Sequence, residues 1–151
     1  MEPYQVFIVD DDQNILEVLA QMFMLEDIET RCFNSPKRLL AAIDNDSPIV
    51  VITDLNMPEL DGLSLFEQIH HKDPDIPVIL LTGFGDVSIA VNAIRRGVYD
   101  FIEKPFNNEQ VIDIVRRGAE KRLLTLENRQ LRQAVAQQSN TGLRLLGNTT
   151  K

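Results

Sequence analysis

Residues 49–53 (IVVIT) constrain the possible fold of this 151-residue chain more than any other segment. They form an apolar and β-branched run without alternation, which is typical of a strand buried on both faces. Such strands belong to parallel sheets that are covered by helices on both sides. The run ends at Asp54, and a loop containing Pro58 follows. Asp54 is therefore predicted at the carboxyl end of a strand, the edge at which open parallel sheets bind ligands.

Four further short apolar runs alternate with helical patterns along the chain. They predict strands at residues 5–9, 30–33, 78–81 and 99–103. Apolar residues at helical spacing predict helices at about residues 14–25, 36–43, 63–71 and 87–96, with Ser35 and Asp86 as caps of the second and fourth. Short loops between strand and helix favour parallel pairing with right-handed crossovers. The sequence thus predicts an α/β fold around a five-stranded parallel sheet.

The composition narrows the class of protein. Hydrophobic residues make up 44% and charged residues 25% of the chain, as expected for a globular domain. The net charge of −8 argues against direct binding of nucleic acid, which needs clustered Lys and Arg. No apolar segment has the length of a membrane span, and the N-terminus does not resemble a signal peptide. The single cysteine, Cys32, fits a reducing compartment. Together these features predict a cytoplasmic protein that does not bind membranes.

A fifth helical pattern begins near Asn107 and is unusually long. Nothing in it predicts a stop before residues 139–142 (SNTG), because Gly118 alone costs only about 1 kcal/mol relative to Ala. A domain of this size cannot cover such a helix, so its distal half must project or find a partner. Residues 140–151 have the composition of a linker.

The distal half of that helix carries heptad spacing. Leu124 and Leu131 are seven residues apart, and so are Asn128 and Val135. This seam, with Asn at an a position, predicts a short two-stranded coiled coil and a homodimer, with additional contacts between the two globular domains. A solvated linker helix is the alternative.

Polar side chains follow several of the predicted strands. Asp10 and Asp11 follow the first, Asp54 the third, Thr82 the fourth and Lys104 the fifth. Clustered carboxylates remain ionised together only around a cation, and oxygen ligands without His or Cys favour Mg²⁺ or Mn²⁺. A lysine and a threonine hydroxyl at the same edge could hold phosphoryl oxygens. Asp54 is then the candidate nucleophile, whereas the nearby Asp12 is interpreted as the entry to the first helix.

These motifs together resemble the receiver domain of two-component response regulators. The resemblance covers about residues 4–120 and rests on four segments: residues 10–11 (DD), 54–62 (DLNMPELDG), 82–83 (TG) and 104–106 (KPF). It implies a flavodoxin-like, doubly wound (βα)5 fold with strand order 2-1-3-4-5. It also implies that Asp54 accepts a phosphoryl group from a sensor histidine kinase.

The resemblance implies further roles for single residues. The backbone carbonyl of Asn56 would join Asp10, Asp11 and Asp54 around Mg²⁺. Thr82 and Lys104 would bind the phosphoryl group, and Phe101 would occupy the aromatic switch position. The Lys104–Pro105 bond is expected to be cis, since only an X-Pro bond makes this geometry inexpensive.

More narrowly, residues 79–86 and 97–106 are similar to receivers of sigma-54-dependent activators, in particular the C4-dicarboxylate transport regulators. Residues 127–131 (ENRQL) and 145–149 (LLGNT) resemble their linker. The expected organisation is a receiver at residues 1–120, a coiled-coil linker helix at 121–138 and, at 139–151, the start of a linker to an AAA+ domain. The sequence lacks the nucleotide-binding loop and the helix-turn-helix of such activators.

Two other functions compete with this interpretation. An aspartyl-phosphate phosphohydrolase also attacks with an Asp at a strand end, but it uses a second acid two residues later, where this chain has Asn56. We therefore expect a self-phosphorylating phosphoacceptor with at most slow autodephosphorylation, not a multiple-turnover enzyme. The other alternative is a dimerisation module with a vestigial site.

Overall fold

A computed structural model of the protein describes residues 2–146, and the side chains of residues 2–137. Five parallel strands form one sheet in the order β2-β1-β3-β4-β5, so the predicted fold class and strand order are confirmed. The strands are β1 (Gln5–Val9), β2 (Glu29–Phe33), β3 (Ile49–Asp54), β4 (Val78–Thr82) and β5 (Asp100–Glu103).

Helices connect the strands and cover both faces of the sheet. They are α1 (Gln13–Met24), α2 (Pro36–Ala42), α3 (Gly62–Lys72), α4 (Val87–Arg96) and α5 (Asn108–Leu146). No helix among residues 2–146 has the length and apolar character needed to cross a membrane.

The central strand β3 is buried along its whole length, as its sequence predicted. Val50 and Ile52 belong to the core that packs against α1 and α5. Val51 points to the opposite face, where the core packs against α2, α3 and α4. Alternate residues of one apolar run therefore serve two cores, which explains the absence of a polar face.

Helix termini agree with the sequence at some positions and differ at others. Asp12 is the N-cap of α1, as predicted, and its carboxylate accepts a hydrogen bond from the Asn14 amide. Gly97 ends α4 in the left-handed conformation, with φ of 119°. Ser35 and Asp86 occupy N-cap positions, but neither side chain caps its helix. The predicted capping is wrong because both side chains bind partners in other loops.

Helix α5 continues through Leu146, beyond the end predicted at residue 138. Ser, Asn and Thr keep the backbone N–H that a helix requires, and a single Gly costs only about 1 kcal/mol, so residues 139–142 weaken the helix without ending it. Residues 147–151, the rest of the predicted linker, lie outside the described residues. The first turns are buried through residues such as Val111 and Val115, whereas later residues are increasingly exposed.

Candidate functional site

The carboxyl ends of β1, β3, β4 and β5 meet at one edge of the sheet. There the carboxylates of Asp10, Asp11 and Asp54 have oxygens that all lie within 4.8 Å of one another. Asp10 and Asp54 are buried, and Asp11 is exposed. The parallel strand order places the ends of β1 and β3 side by side, so the predicted acidic cluster exists.

Lys104 completes the cluster from the other side of Asp54. Its Nζ lies 3.2 Å from Oδ1 of Asp54 and 3.8 Å from Oδ2 of Asp10. The Lys104 amide donates a 2.8 Å hydrogen bond to the carbonyl of Thr82, which holds the start of this loop against the end of β4. The Lys104–Pro105 bond is cis, the predicted geometry.

Asp10 is the carboxylate most affected by its surroundings. Burial raises the pKa of Asp10 to about 6, and the charges of Asp54 and Asp11 also raise it. The hydrogen bond from the Asp12 amide to Oδ1 and the charge of Lys104 act in the opposite direction. Oδ2 of Asp10 is buried without a hydrogen-bond partner among the described residues.

This donor set fits a divalent cation with a preference for oxygen. Three carboxylates converge, no His or Cys of the described chain belongs to the cluster, and one buried carboxylate oxygen of Asp10 is available as a ligand. A cation there would offset both the repulsion between the acids and the cost of burying Asp10. Mg²⁺ has this ligand preference, and Mn²⁺ shares it.

The loop after Asp54 depends on a glycine whose importance the sequence analysis missed. A Cβ at Gly62 would lie 2.5 Å from the backbone oxygen of Asp54 and 3.0 Å from Cα of Leu55. The Gly62 amide instead donates a 2.8 Å hydrogen bond to the carbonyl of Leu55. Because only glycine fits this approach, Gly62 positions the backbone of Asp54. The signal in the sequence was the Asp-Gly pair that ends the loop.

Thr82 and Phe101 lie on the adjacent strands β4 and β5. Thr82 is completely buried, and its hydroxyl donates a 3.5 Å hydrogen bond to the carbonyl of Ile102 on β5. Phe101 is half-buried and packs against the core on the α2, α3 and α4 side. In this structure the Thr82 hydroxyl is thus directed towards β5.

Asn56 and Asp86 connect two loops at the rim of the site. Nδ2 of Asn56 donates a 3.1 Å hydrogen bond to Oδ2 of Asp86, which joins the β3–α3 loop to the β4–α4 loop. This bond explains why the Asp86 carboxylate does not cap α4. The metal-binding role of the Asn56 carbonyl stays a prediction.

The predicted dimer seam lies far from this site on α5. Leu124, Leu131 and Val135 are 61%, 60% and 63% exposed, and Asn128 is exposed as well. The seam residues are therefore available on the surface of the described chain.

Comparisons with known proteins agree with the fold. The family model described as "Response regulator receiver domain" matches residues 6–116. The chain is 44% identical over 143 residues to the C4-dicarboxylate transport transcriptional regulatory protein DctD of Pseudomonas aeruginosa, and 44% identical over 144 residues to DctD of Rhizobium meliloti. Both alignments cover 95% of this chain but only 31% of the relative's length. The crystal structure of the receiver domain of NtrX from Brucella abortus is 38% identical, with a TM-score of 0.72 over 77% of this chain and 98% of that one.

Proposed function

The chain belongs to the response regulator receiver domain family, and we propose that Asp54 is its phosphoacceptor, which takes a phosphoryl group from a phosphohistidine of a sensor kinase. The observation that carries this proposal is the position of Lys104, 3.2 Å from Asp54 at the same sheet edge as the Asp10 and Asp11 carboxylates. A cationic amine and a cation site beside one carboxylate form an arrangement that stabilises a transferring phosphoryl group.

In the proposed reaction an Asp54 carboxylate oxygen forms a bond to phosphorus. The phosphorus–nitrogen bond of phosphohistidine breaks, and its electron pair stays on the imidazole, which takes up a proton. Lys104 neutralises charge on the phosphoryl oxygens, and Asp10, Asp11 and the Asn56 carbonyl would hold the cation with Asp54. Mg²⁺ supplies further neutralisation of phosphoryl oxygens when it is bound. The product is an acyl phosphate on Asp54.

The surroundings of Asp54 favour a phosphoacceptor over a hydrolase. The residue two positions later is Asn56, whose amide is bonded to Asp86, so it offers no acid to activate water or to protonate a leaving group. The chain should therefore be phosphorylated once and should lose the group only slowly. The intact acidic cluster and Lys104 likewise argue against a vestigial site.

The conformational response would begin at Thr82. Its hydroxyl can exchange the long hydrogen bond to Ile102 for one to a phosphoryl oxygen on Asp54. The side chain would then leave space that the Phe101 ring can fill, and packed interiors convert such small shifts into two discrete states. The surface of α4, β5 and α5 would carry the readout. An exposed apolar side of α4 is available there, formed by residues Val87, Val91 and Ile94.

The output would be a changed arrangement of a homodimer. The exposed stripe of Leu124, Asn128, Leu131 and Val135 would form a parallel two-stranded seam, assisted by contacts between receivers. Because the relatives are named as transcriptional regulators and the chain spans about a third of their length, we propose that it controls a sigma-54-dependent, AAA+ activating domain in a cytoplasmic protein. Its acidic surface makes direct binding of nucleic acid by this part of the protein unfavourable.

Phosphorylation is tested with acetyl phosphate, Mg²⁺ and intact-protein mass spectrometry. The wild-type chain should gain one alkali-labile phosphoryl group, and Asp54→Asn should gain none, because an amide does not form an acyl phosphate. Asp12→Asn is the matched control, since it changes a neighbouring carboxylate that only caps α1. Stoichiometric labelling of Asp54→Asn contradicts the assignment. Continuous release of phosphate would indicate a hydrolase, and an unlabelled wild-type chain a vestigial site.

The seam is tested by sedimentation of the wild-type chain and of Leu124→Asp/Leu131→Asp. The wild type should sediment as a dimer and the double variant as a monomer. Gln130→Asp/Gln133→Asp adds the same charge at exposed positions of α5 outside the seam and should remain dimeric. A wild-type chain that is monomeric at tens of micromolar would remove the seam from the mechanism.

A further inference from the structure

A second polar cluster lies at the opposite edge of the sheet from Asp54, where α5 passes the loops that precede β3 and β4. Arg122 and Arg129 of α5 contact Asp46 in the α2–β3 loop and Asp73 and Asp75 in the α3–β4 loop. None of these residues belongs to the phosphorylation site or to the predicted dimer seam. We name Asp73, Arg122 and Arg129 the arginine clamp.

Asp73 is the shared partner of both arginines. It is 4% exposed, and Arg122 is completely buried. Nη2 of Arg122 donates a 2.9 Å bond to Oδ2 of Asp73, and its Nε donates a 3.0 Å bond to the carbonyl of Ser47. Arg129 binds both carboxylate oxygens of Asp73, at 3.0 and 2.8 Å. Bidentate charge-assisted bonds of this kind restrict direction as well as distance.

The acid at the centre of the clamp stays ionised. Burial alone would raise the pKa of Asp73, but hydrogen bonds from Arg129 and Arg122 and from the Asp75 amide outweigh it and hold the pKa well below its ordinary value. Arg129 also donates to the carboxylates of Asp46, at 2.7 Å, and Asp75, at 2.9 Å. The guanidinium group of Arg129 is therefore held by acids from two different loops of the receiver.

The clamp extends the attachment of α5 beyond the apolar core. Among the described side chains of α5, Leu123 is the last that packs against that core. Arg129 lies six positions further along the helix. Hydrophobic contacts are non-directional, whereas the fork of Arg129 on Asp73 sets the rotation of the helix about its axis.

The clamp arginines and the two leucines of the dimer seam occupy opposite sides of α5. Arg122 and Arg129 are seven residues apart, about two turns, and so lie on the same side. Leu124 and Leu131 each follow one of these arginines by two positions, which is a rotation of about 200°. The structure agrees, because Arg122 is buried whereas Leu124 and Leu131 are 61% and 60% exposed.

We propose that the arginine clamp positions the linker part of α5 on the receiver, so that its Leu124 and Leu131 side faces away from the receiver at a set rotation and meets the same side of a second copy. The docking of α5 is independent of the phosphorylation site, whereas the meeting with a second copy rests on the proposed dimer. Arg129 is then a positioning residue for the dimer seam.

The proposal is tested by the distance between spin labels at Lys37→Cys on α2 and Gln133→Cys on α5, in a Cys32→Ser background. Pulsed electron paramagnetic resonance measures this distance within one chain when labelled protein is diluted with unlabelled protein. Arg129→Gln should give a wider distance distribution with a shifted mean. Arg129→Lys, which retains charge but lacks the planar fork, should lie between that variant and the wild type.

Arg132→Gln is the matched control, because Arg132 is exposed on the same helix and forms no ion pair within the described part of the chain. Its distribution should equal that of the wild type. Circular dichroism should show the same helix content in all variants, so that widening reports docking and not unfolding. If the distance distribution of Arg129→Gln has the same width and the same mean as that of the wild type, the proposal is overturned. Since the distance is measured within one chain, a monomeric protein would contradict the dimer seam without affecting this test of docking.

Discussion

Replacing Asp73 by asparagine should destabilise the domain by about 3–5 kcal/mol, because it leaves the buried charge of Arg122 without its counterion. Arg122 is completely buried, and its Nη1 already has no hydrogen-bond partner in the described structure. The other group that binds Arg122 is the backbone carbonyl of Ser47, which accepts from Nε and carries no charge. Among the described contacts of Arg122, Asp73 therefore supplies the one carboxylate, and no second acid would compensate for its loss.

The expected loss is specific to the buried ion pair. The amide oxygen introduced by Asp73→Asn could still accept the hydrogen bond from the Asp75 backbone amide, so the substitution removes charge and leaves the local turn possible. Asp75→Asn is the matched control: its carboxylate is 51% exposed and contacts Arg129, which keeps Asp73 and Asp46. Exposed pairs contribute about 0–1 kcal/mol, so this variant should change little. A loss of several kcal/mol is a substantial part of the roughly 5–15 kcal/mol that stabilises an ordinary domain.

Urea unfolding followed by circular dichroism at pH 7 measures both variants. The wild-type advantage over Asp73→Asn should also depend on pH in a definite direction. Because the folded state lowers the pKa of Asp73, its contribution is complete above the ordinary pKa of about 3.9 and is lost as the pH falls below it. The stabilities of the two proteins should therefore converge in acid. A loss at pH 7 no larger than that of Asp75→Asn, or a difference that grows in acid, would refute the reasoning.

Three further outcomes are expected at the phosphorylation site. Gly62→Ala should lower the free energy of unfolding in urea by about 1–3 kcal/mol and slow labelling by acetyl phosphate, since the new Cβ would collide with the Asp54 backbone. Gly83→Ala is the control and should be neutral, because the atom nearest to its Cβ is 3.6 Å away. Asp10→Asn should raise the melting temperature in EDTA at pH 7, because the folded state raises the pKa of Asp10 and ionised Asp10 therefore destabilises the fold at this pH. Mg²⁺ should stabilise only the wild type, and a lower melting temperature of Asp10→Asn in EDTA would contradict the prediction. Phe101 should change rotamer when beryllofluoride binds at Asp54, and an unchanged rotamer in a crystal structure of that complex would exclude the proposed coupling.

Local patterns in the chain predicted the sheet and most of the phosphorylation cluster. Runs such as residues 49–53 are typical of strands with two buried faces, and the polar residue after such a run must lie at the sheet edge. Once the strands are parallel, Asp10, Asp54 and Lys104 have to converge, because all carboxyl ends lie on one side. The order of strands and helices along the chain, with the short loops between them, was therefore sufficient to predict this part of the structure.

Local sequence patterns could not predict contacts between segments that are distant in the chain. Asp86 is at a capping position, yet its carboxylate accepts a hydrogen bond from Asn56, which lies 30 residues earlier in the chain. Ile89 and Ile94 belong to the apolar pattern of α4 but remain exposed, since the small residues Ala90 and Ala93 supply the buried side of this helix. Periodicity shows that a helix has an apolar side, but the packing decides which side is covered.

The sequence by itself determined the fold class, the strand order through family resemblance, and the residues that meet at the end of β3, because these follow from patterns within single elements and short connections. Only the tertiary structure decided how α5 is held on the receiver. Asp73 and Arg122 are 49 residues apart, and each resembles an ordinary surface residue in its own segment. Their pairing depends on the angle at which a helix crosses two loops, and that angle results from the packing of the whole core and not from any local pattern.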